Sequence, residues 1–448
     1  MLAALEERGP EDHAVEGPEP VDDRQRSRPS TLTFLGNFGS GNLGNEFTLR
    51  SIVQNTRKYL PDARLHCVCP GPEGASAIHD VSASRMTYRN DPAYVSRDSS
   101  RYKHPLFRFL RRLFVRLPLE LIEWRDAFRR LKNTDLLIMP GTGMLGDFGI
   151  GPLDLHYQIL KWSIVARMRG CRPVFVSVGA GPIDHPVSRW MVKCALSLAH
   201  YRSYRDRFSE RYLDSLGFDT SRDAVYPDLA FSLLSPGIPA STDSTDSTHP
   251  TGAPRVVGVG LMDYYGKSSC AESGEPVYRH YLDTLAHFVA GLLERKYAVR
   301  LLIGDLSYDR RVKGDLVRIL QDRGVALAEG QIVDEPVHSL DQLWAQLART
   351  DVVVATRFHN ILLALMLGKP VIALSYHQKI RSLMSAVGLE EYCQDIEGLD
   401  AQRLMEQFLA LDANAASVTA SVRRKAAECR AALDEQYRHI FNALHASR

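Results

Sequence analysis

This sequence has no long hydrophobic run. No uninterrupted apolar stretch of the 448 residues approaches the ~18 that a membrane span needs, so the chain is not expected to cross a bilayer as a helix. It also has little net charge. Fifty-five Lys and Arg oppose 53 Asp and Glu, a formal balance of +2, which removes any global electrostatic argument for nucleic acid as a partner. Cysteine is sparse: seven, an odd number, are scattered along the chain, and Cys67-Val68-Cys69 has no second pair at zinc-finger spacing. They read as buried or incidental thiols in a reducing compartment. The N-terminus carries Glu6, Glu7, Glu11 and Asp12 and lacks the apolar core of a secretory leader. No Asp-x-Asp metal site stands in an expected place, so no divalent metal is expected. These absences together point to a cytoplasmic protein.

What is present is an ordinary globular composition, 45% apolar and 24% charged. The length favours roughly two domains. Residues 1–30, rich in Pro, Glu, Asp and Arg, read as a disordered tail. A strand–loop–helix–strand rhythm begins at Thr31: an apolar strand, the pivots Gly36, Asn37, Gly39, Gly41 and Asn42, a helix from Phe47 to Tyr59, and a strand at Leu65–Cys69. The first unit is placed at 31–235. Within it, residues 101–132 break the rhythm with ten Lys and Arg against three acids, interleaved with apolar residues at helical spacing. That pattern suits a basic amphipathic helix on an anionic membrane surface, and equally a helical insert whose basic face is only solvated. A Ser/Thr/Asp/Pro-rich stretch at 236–254 reads as a linker. A second α/β unit follows at 255–400, and 401–448 reads as C-terminal helix. The expected fold class is α/β, two Rossmann-like domains facing a cleft.

One stretch of the second unit carries chemistry. Val352–Ala355 has the composition of a strand buried on both faces, Ile361–Leu367 is free of helix breakers, and Gly368 and Pro370 end that helix. Arg357 and His359 therefore fall at a strand's carboxyl end and a helix's start, where α/β sheets bind ligands and a helix N-terminus favours anions. An arginine and a histidine there read as an anion site with a proton donor. A lone histidine could instead simply cap the helix.

The ordered motifs resemble the polysaccharide pyruvyl transferases, a family with a GT-B-like fold. They are Gly41-Asn42-Leu43-Gly44-Asn45-Glu46, Pro140-Gly141-Thr142-Gly143, Tyr204-Arg205-Asp206, Tyr226-Pro227-Asp228, Thr356-Arg357-Phe358-His359, and Gly368-Lys369-Pro370 with Tyr376 and Lys379. Departures from the family pattern are Asn45 in place of an aspartate, Thr142 interrupting a glycine triplet, and Thr356 in place of a serine. The resemblance implies transfer of the enolpyruvyl unit of phosphoenolpyruvate onto two hydroxyls of a polymeric or lipid-linked sugar, giving a cyclic ketal and phosphate. No cofactor is expected beyond that donor. Arg357, Arg205 and Lys379 are then expected to hold the donor's phosphate and carboxylate, arginine being suited to bidentate contact. His359, with an ordinary pKa near operating pH, is the expected general acid. Glu46 is a candidate base, against the alternative of a helix-N-terminal acid stabilised by the macrodipole. Gly41, Asn42, Gly44 and Asn45 are expected to face the donor with the acceptor between. Two competing readings are a nucleotide-sugar glycosyltransferase of the same fold and a non-catalytic membrane scaffold.

Overall fold

A computed structural model of the protein describes residues 29–88, 117–146, 150–234, 254–266, 271–325 and 330–445. The tail expected at 1–30 and the linker at 236–254 lie almost wholly outside these residues, as does 101–116 of the basic insert.

Two parallel sheets organise the chain. The first has seven strands: β1 (Thr31–Leu35), β2 (Arg64–Cys69), β3 (Ser82–Arg85), β4 (Leu136–Pro140), β5 (Arg172–Val178), β6 (Tyr201–Tyr204) and β7 (Ala224–Val225). Their spatial order is β3-β2-β1-β4-β5-β6-β7. The second has six: β8 (Val256–Gly260), β9 (Ala298–Leu302), β10 (Ile332–Val333), β11 (Val352–Ala355), β12 (Val371–Ser375) and β13 (Cys393–Asp395), in the order β10-β9-β8-β11-β12-β13. In each sheet the chain steps outward in one direction, returns, and steps outward in the other. The switch points fall between β1 and β4 and between β8 and β11, the places where crevices form at strand carboxyl ends. The loop after β1 and the Thr356–Arg357 turn after β11 leave from these two points.

Helix α1 (Leu43–Tyr59) follows β1 directly. It starts four residues before the sequence suggested, because the Asn42 side chain accepts from the Gly44 and Asn45 N–H groups and caps it. Helices α2 (Pro72–His79), α3 (Leu117–Arg130), α4 (Leu155–Met168), α5 (Pro186–Ser197) and α6 (Arg207–Ser215) complete the first unit. The second carries α7 (Ala271–Glu294), α8 (Asp309–Asp322), α9 (Leu340–Ala348), α10 (Phe358–Met366) and α11 (Gln378–Ala386). The C-terminal segment is two helices, α12 (Ala401–Ala413) and α13 (Ala415–His445).

One apolar core runs through both units, from Phe34 and Phe47 through Leu229–Phe231 to Val353, Leu362 and Tyr437. A second core, with Phe175 and Trp162, lies on the other face of the first sheet. Helix α10 is buried almost all round: Ile361 to Leu365 are fully inaccessible. Each such side chain contributes about 1.5–3 kcal/mol of burial, so this helix is a rigid base for whatever stands at its N-terminus. The described cysteines are free thiols. Among the described residues no helix is long and apolar enough to cross a membrane.

Candidate active site

The end of β11 is fixed before any functional group is placed. Thr356 is fully buried, and its hydroxyl pairs with the Tyr281 hydroxyl at 2.9 Å. Arg357 then turns the chain into α10. Its Nε donates to Asp309 Oδ2 at 2.9 Å and its Nη2 to Oδ1 at 2.5 Å. Asp309 is wholly buried and also accepts the N–H groups of Asp263, Gly304 and Asp305. Burial works against the charge of Arg357, and the Asp309 carboxylate more than restores it. Arg357 is thus a braced cation with the Nε/Nη2 side of its fork already spent on Asp309, where sequence reasoning gave it the role of a free bidentate clamp.

Arg205 comes from the end of β6 in the other unit. Its side chain is only 6% exposed, pairs with Asp206 at 3.3 Å, and approaches Asp228 at 3.6 Å. The guanidinium lies 4.9 Å from the centre of the Phe358 ring. Gly179 leaves room for it: a Cβ there would sit 2.6 Å from the guanidinium carbon. Lys379, near the start of α11, has its Nζ 5.0 Å from the Tyr376 ring and 5.8 Å from that of Phe358. It has no carboxylate partner among the described residues. Burial pushes the Tyr376 hydroxyl up, but Lys379, Arg357 and Arg205 outweigh it and leave the phenol below its usual range.

His359 stands among these groups. Its Nε2 is closed off from solvent with no hydrogen-bond partner among the described residues, and the same holds for both side-chain polar atoms of the buried Asn360. Native structures rarely leave such atoms orphaned without a use for them. Burial first, then the Arg205 and Lys379 charges, lower the His359 pKa to about 3. The shift away from the ordinary value near operating pH favours the neutral ring.

These residues enclose a cavity of about 90 Å³. Its lining holds Arg205, Arg357, His359 and Lys379, together with Asn42, Gly44 and Asn45 from the loop after β1. Among the described residues it contains no carboxylate. Gly41 is not part of the lining; with a φ of +88° it turns the chain just outside, and its carbonyl accepts from Leu306 N–H at 3.2 Å. Leu43 N–H donates to Gly304 at 3.1 Å, so the loop meets the second unit directly. A Cβ on Gly44 would fall 2.0 Å from His359 Nδ1. No space remains between Gly44 and His359 for the acceptor that sequence reasoning put there.

Glu46 is not brought to the cavity. Its carboxylate accepts the Gly39 N–H at 2.7 Å and pairs with His79 Nε2 at 2.8 Å, both inside the fold. It braces the loop from behind, and a base role there has no geometric support. Asp309, Asn360 and Tyr376 are the residues that sequence reasoning missed as part of the site. Tyr376 and Asn360 stood in plain view beside the motif residues, but Asp309 is 48 positions from its partner and carries no local signal.

A second, larger cavity of about 820 Å³ opens beside the first, between α6, the Tyr226–Asp228 turn and α11. Arg205, Phe358 and Lys379 line both.

Comparison with known proteins adds two findings. Residues 42–378 match the family described as polysaccharide pyruvyl transferase. Among solved structures, the UDP-GlcNAc 2-epimerase of Neisseria meningitidis bound to UDP-GlcNAc superposes with a TM-score of 0.54 at 9% identity, over 90% of this chain and 99% of that one. The Anabaena protein HepE in complex with UDP and glucose gives 0.55 at 14% identity, over 92% and 99%. At such identities the likeness concerns the fold, which is GT-B-like, two α/β domains facing each other. The comparison with curated proteins returns no match.

Proposed function

We propose, given that this chain belongs to the polysaccharide pyruvyl transferase family, that this transferase moves the pyruvate unit of phosphoenolpyruvate onto two hydroxyls of a glycan and releases phosphate. The observation that carries this reading is the small cavity, whose lining brings Arg205, Arg357 and Lys379 together with His359 and, among the described residues, no carboxylate. The lack of an acid to hold a donor ribose there, among the described residues, weighs against the glycosyltransferase reading.

In the mechanism, Lys379 and Arg205 take the donor's phosphate and carboxylate, and Arg357, held by Asp309, offers its remaining N–H groups to the same anion. The bound anion offsets the two cations that add to burial in keeping His359 neutral, so its pKa rises as the donor arrives. His359 then protonates the terminal methylene while an acceptor hydroxyl attacks the substituted carbon. Phosphate leaves, and a second hydroxyl closes the ketal.

The test incubates the protein with phosphoenolpyruvate and lipid-linked or polymeric sugars and follows phosphate. Release that depends on acceptor and disappears in His359→Ala is expected. Release of a nucleoside diphosphate from a sugar nucleotide instead would refute the reading.

We also propose peripheral contact with the inner face of the plasma membrane. Leu117, Leu121 and Ile122 are exposed on α3 beside Arg125 and Arg129, and six further Lys and Arg precede them at 101–116. Co-sedimentation with vesicles of anionic phospholipid should fall in Leu117→Ser/Leu121→Ser; unchanged binding would remove the idea.

A further inference from the structure

The larger cavity has no role in holding the donor, yet Arg205, Phe358 and Lys379 form a wall common to both spaces. A molecule in the larger space would meet the donor across those three side chains. We propose that this cavity holds the acceptor saccharide and that Asp228 takes the proton of its attacking hydroxyl; this rests on the pyruvyl-transfer reading above.

Three carboxylates line the cavity: Asp206, Asp228 and Glu390. Asp206 has both oxygens engaged, Oδ1 by the Ser209 N–H at 2.7 Å and Oδ2 by Arg205 Nε at 3.3 Å. Glu390 sits exposed at the rim and accepts from the Ser385 hydroxyl at 3.3 Å. Asp228 differs from both. It is 4% exposed, and its Oδ1 accepts the Ala230 N–H at 3.0 Å, capping the short 3-10 turn Leu229–Ser232. Its Oδ2 has no hydrogen-bond partner among the described residues. The nearest cation, Arg205 Nη1, is 3.6 Å from Oδ2, beyond hydrogen-bond length. Spare acceptor capacity therefore stands beside the residue that both cavities share. Oδ2 is closed off from solvent in the structure, and a donor anion that draws the Arg205 guanidinium toward the smaller space would open it to the larger one. Burial raises the Asp228 pKa, with Arg205 opposing, which makes the ionised carboxylate a stronger base than a solvated aspartate.

The remaining wall suits a sugar ring. Phe208 and Tyr212 stack at 6.1 Å between centroids and 22° between planes, and Tyr226 also lines the cavity. Aromatic faces of this kind cover the C–H face of a pyranose while polar groups at one end fix its hydroxyls.

The step balances. The acceptor O–H bond breaks, its proton goes to Asp228, and its oxygen bonds the substituted carbon of phosphoenolpyruvate as the methylene takes a proton from His359. The bond to phosphate then breaks, phosphate leaving with the electron pair. The second hydroxyl adds to the same carbon, and its proton departs on the phosphate. Return of the Asp228 proton to His359 through solvent resets the enzyme.

The test uses the full chain, phosphoenolpyruvate, and a panel of p-nitrophenyl hexopyranosides as acceptors. Asp228→Asn keeps the cap through its side-chain oxygen and loses the base. Its kcat for phosphate release should fall at least about 10²-fold, while calorimetric affinity for phosphoenolpyruvate changes less than about threefold. Asp228→Ala should regain turnover with added formate, a rescue that a purely structural aspartate does not give. Turnover of Asp228→Asn within threefold of the parent overturns the proposal alone. So does donor affinity falling in parallel with turnover and no rescue by formate, since Asp228 would then only position Arg205. If the parent protein releases phosphate with no member of the panel, this proposal and the reading beneath it fall together.

Discussion

Gly44→Ala tests the contact on which the proton donor rests. Gly44 is the second residue of α1 and has an ordinary helical backbone, so the only obstacle to a side chain is what it would touch. A Cβ built there lies 2.0 Å from His359 Nδ1, 2.6 Å from Cγ and 2.7 Å from Cε1. Comfortable contact needs about 3.5 Å, so the imidazole must withdraw by roughly 1.5 Å. A displacement of that size at a reacting group costs about 10²-fold in turnover. Stability responds separately: the overpacking costs about 1–3 kcal/mol, against a helix gain of at most about 1 kcal/mol for replacing glycine. In a His359→Ala background the obstacle is gone and only the gain remains. Urea unfolding of the four proteins should give a coupling energy of roughly 1–3 kcal/mol between the two positions, and phosphate release should fall in the single Gly44 variant. Coupling below about 0.3 kcal/mol, with turnover intact, would mean that His359 does not rest on Gly44 and that the cavity is wrongly drawn.

Asp309→Ala removes the bidentate partner of Arg357 together with the acceptor for three backbone N–H groups. We expect a loss of about 3–5 kcal/mol in urea unfolding, with Asp309→Asn milder; a change under about 1 kcal/mol would show that the pair is not the brace described. Acid should destabilise the protein through its buried imidazoles. Burial, with nearby cations, lowers His359 to about 3 and His66 and His377 to about 4, against an ordinary 6.5. Between those values the unfolded chain binds protons that the native state does not, so stability is whole above pH 6.5 and is lost as pH falls. Each such histidine costs about 2 kcal/mol at pH 5. Melting temperatures measured from pH 7 to 4 should drop, and His377→Gln should flatten part of the slope; an unchanged slope would place that ring in solvent.

The sequence made the strand-end site legible because its signals are local. Val352–Ala355 and the breaker-free run after it placed Arg357 and His359 at a turn, and β11 and α10 stand there. Similarity of the motif set to one family added the companion cations, and the cavity holds all three. What stayed hidden depends on distant partners. Nothing near Arg357 announces that Asp309 holds one side of its fork, and nothing near Glu46 announces His79. The start of α1 was misread because Gly44 and Asn45 look like loop until Asn42 is seen to cap them.

The C-terminal helix gives the chain an order of assembly. Gln436, fully buried on α13, donates from Nε2 to the Ser203 hydroxyl oxygen at 2.6 Å and accepts from the Ser177 hydroxyl at 3.1 Å, closing polar groups at the heart of the first sheet. Tyr437 and Phe441 cover Tyr59 on α1, while Arg423, earlier in the same helix, packs under Gly368 of the second unit. During synthesis the first sheet is complete long before this cover exists: Ser177 precedes Gln436 by 259 residues. The first half of the molecule therefore leaves the ribosome with this polar seam uncovered, and the helix that later covers it also reaches the second unit.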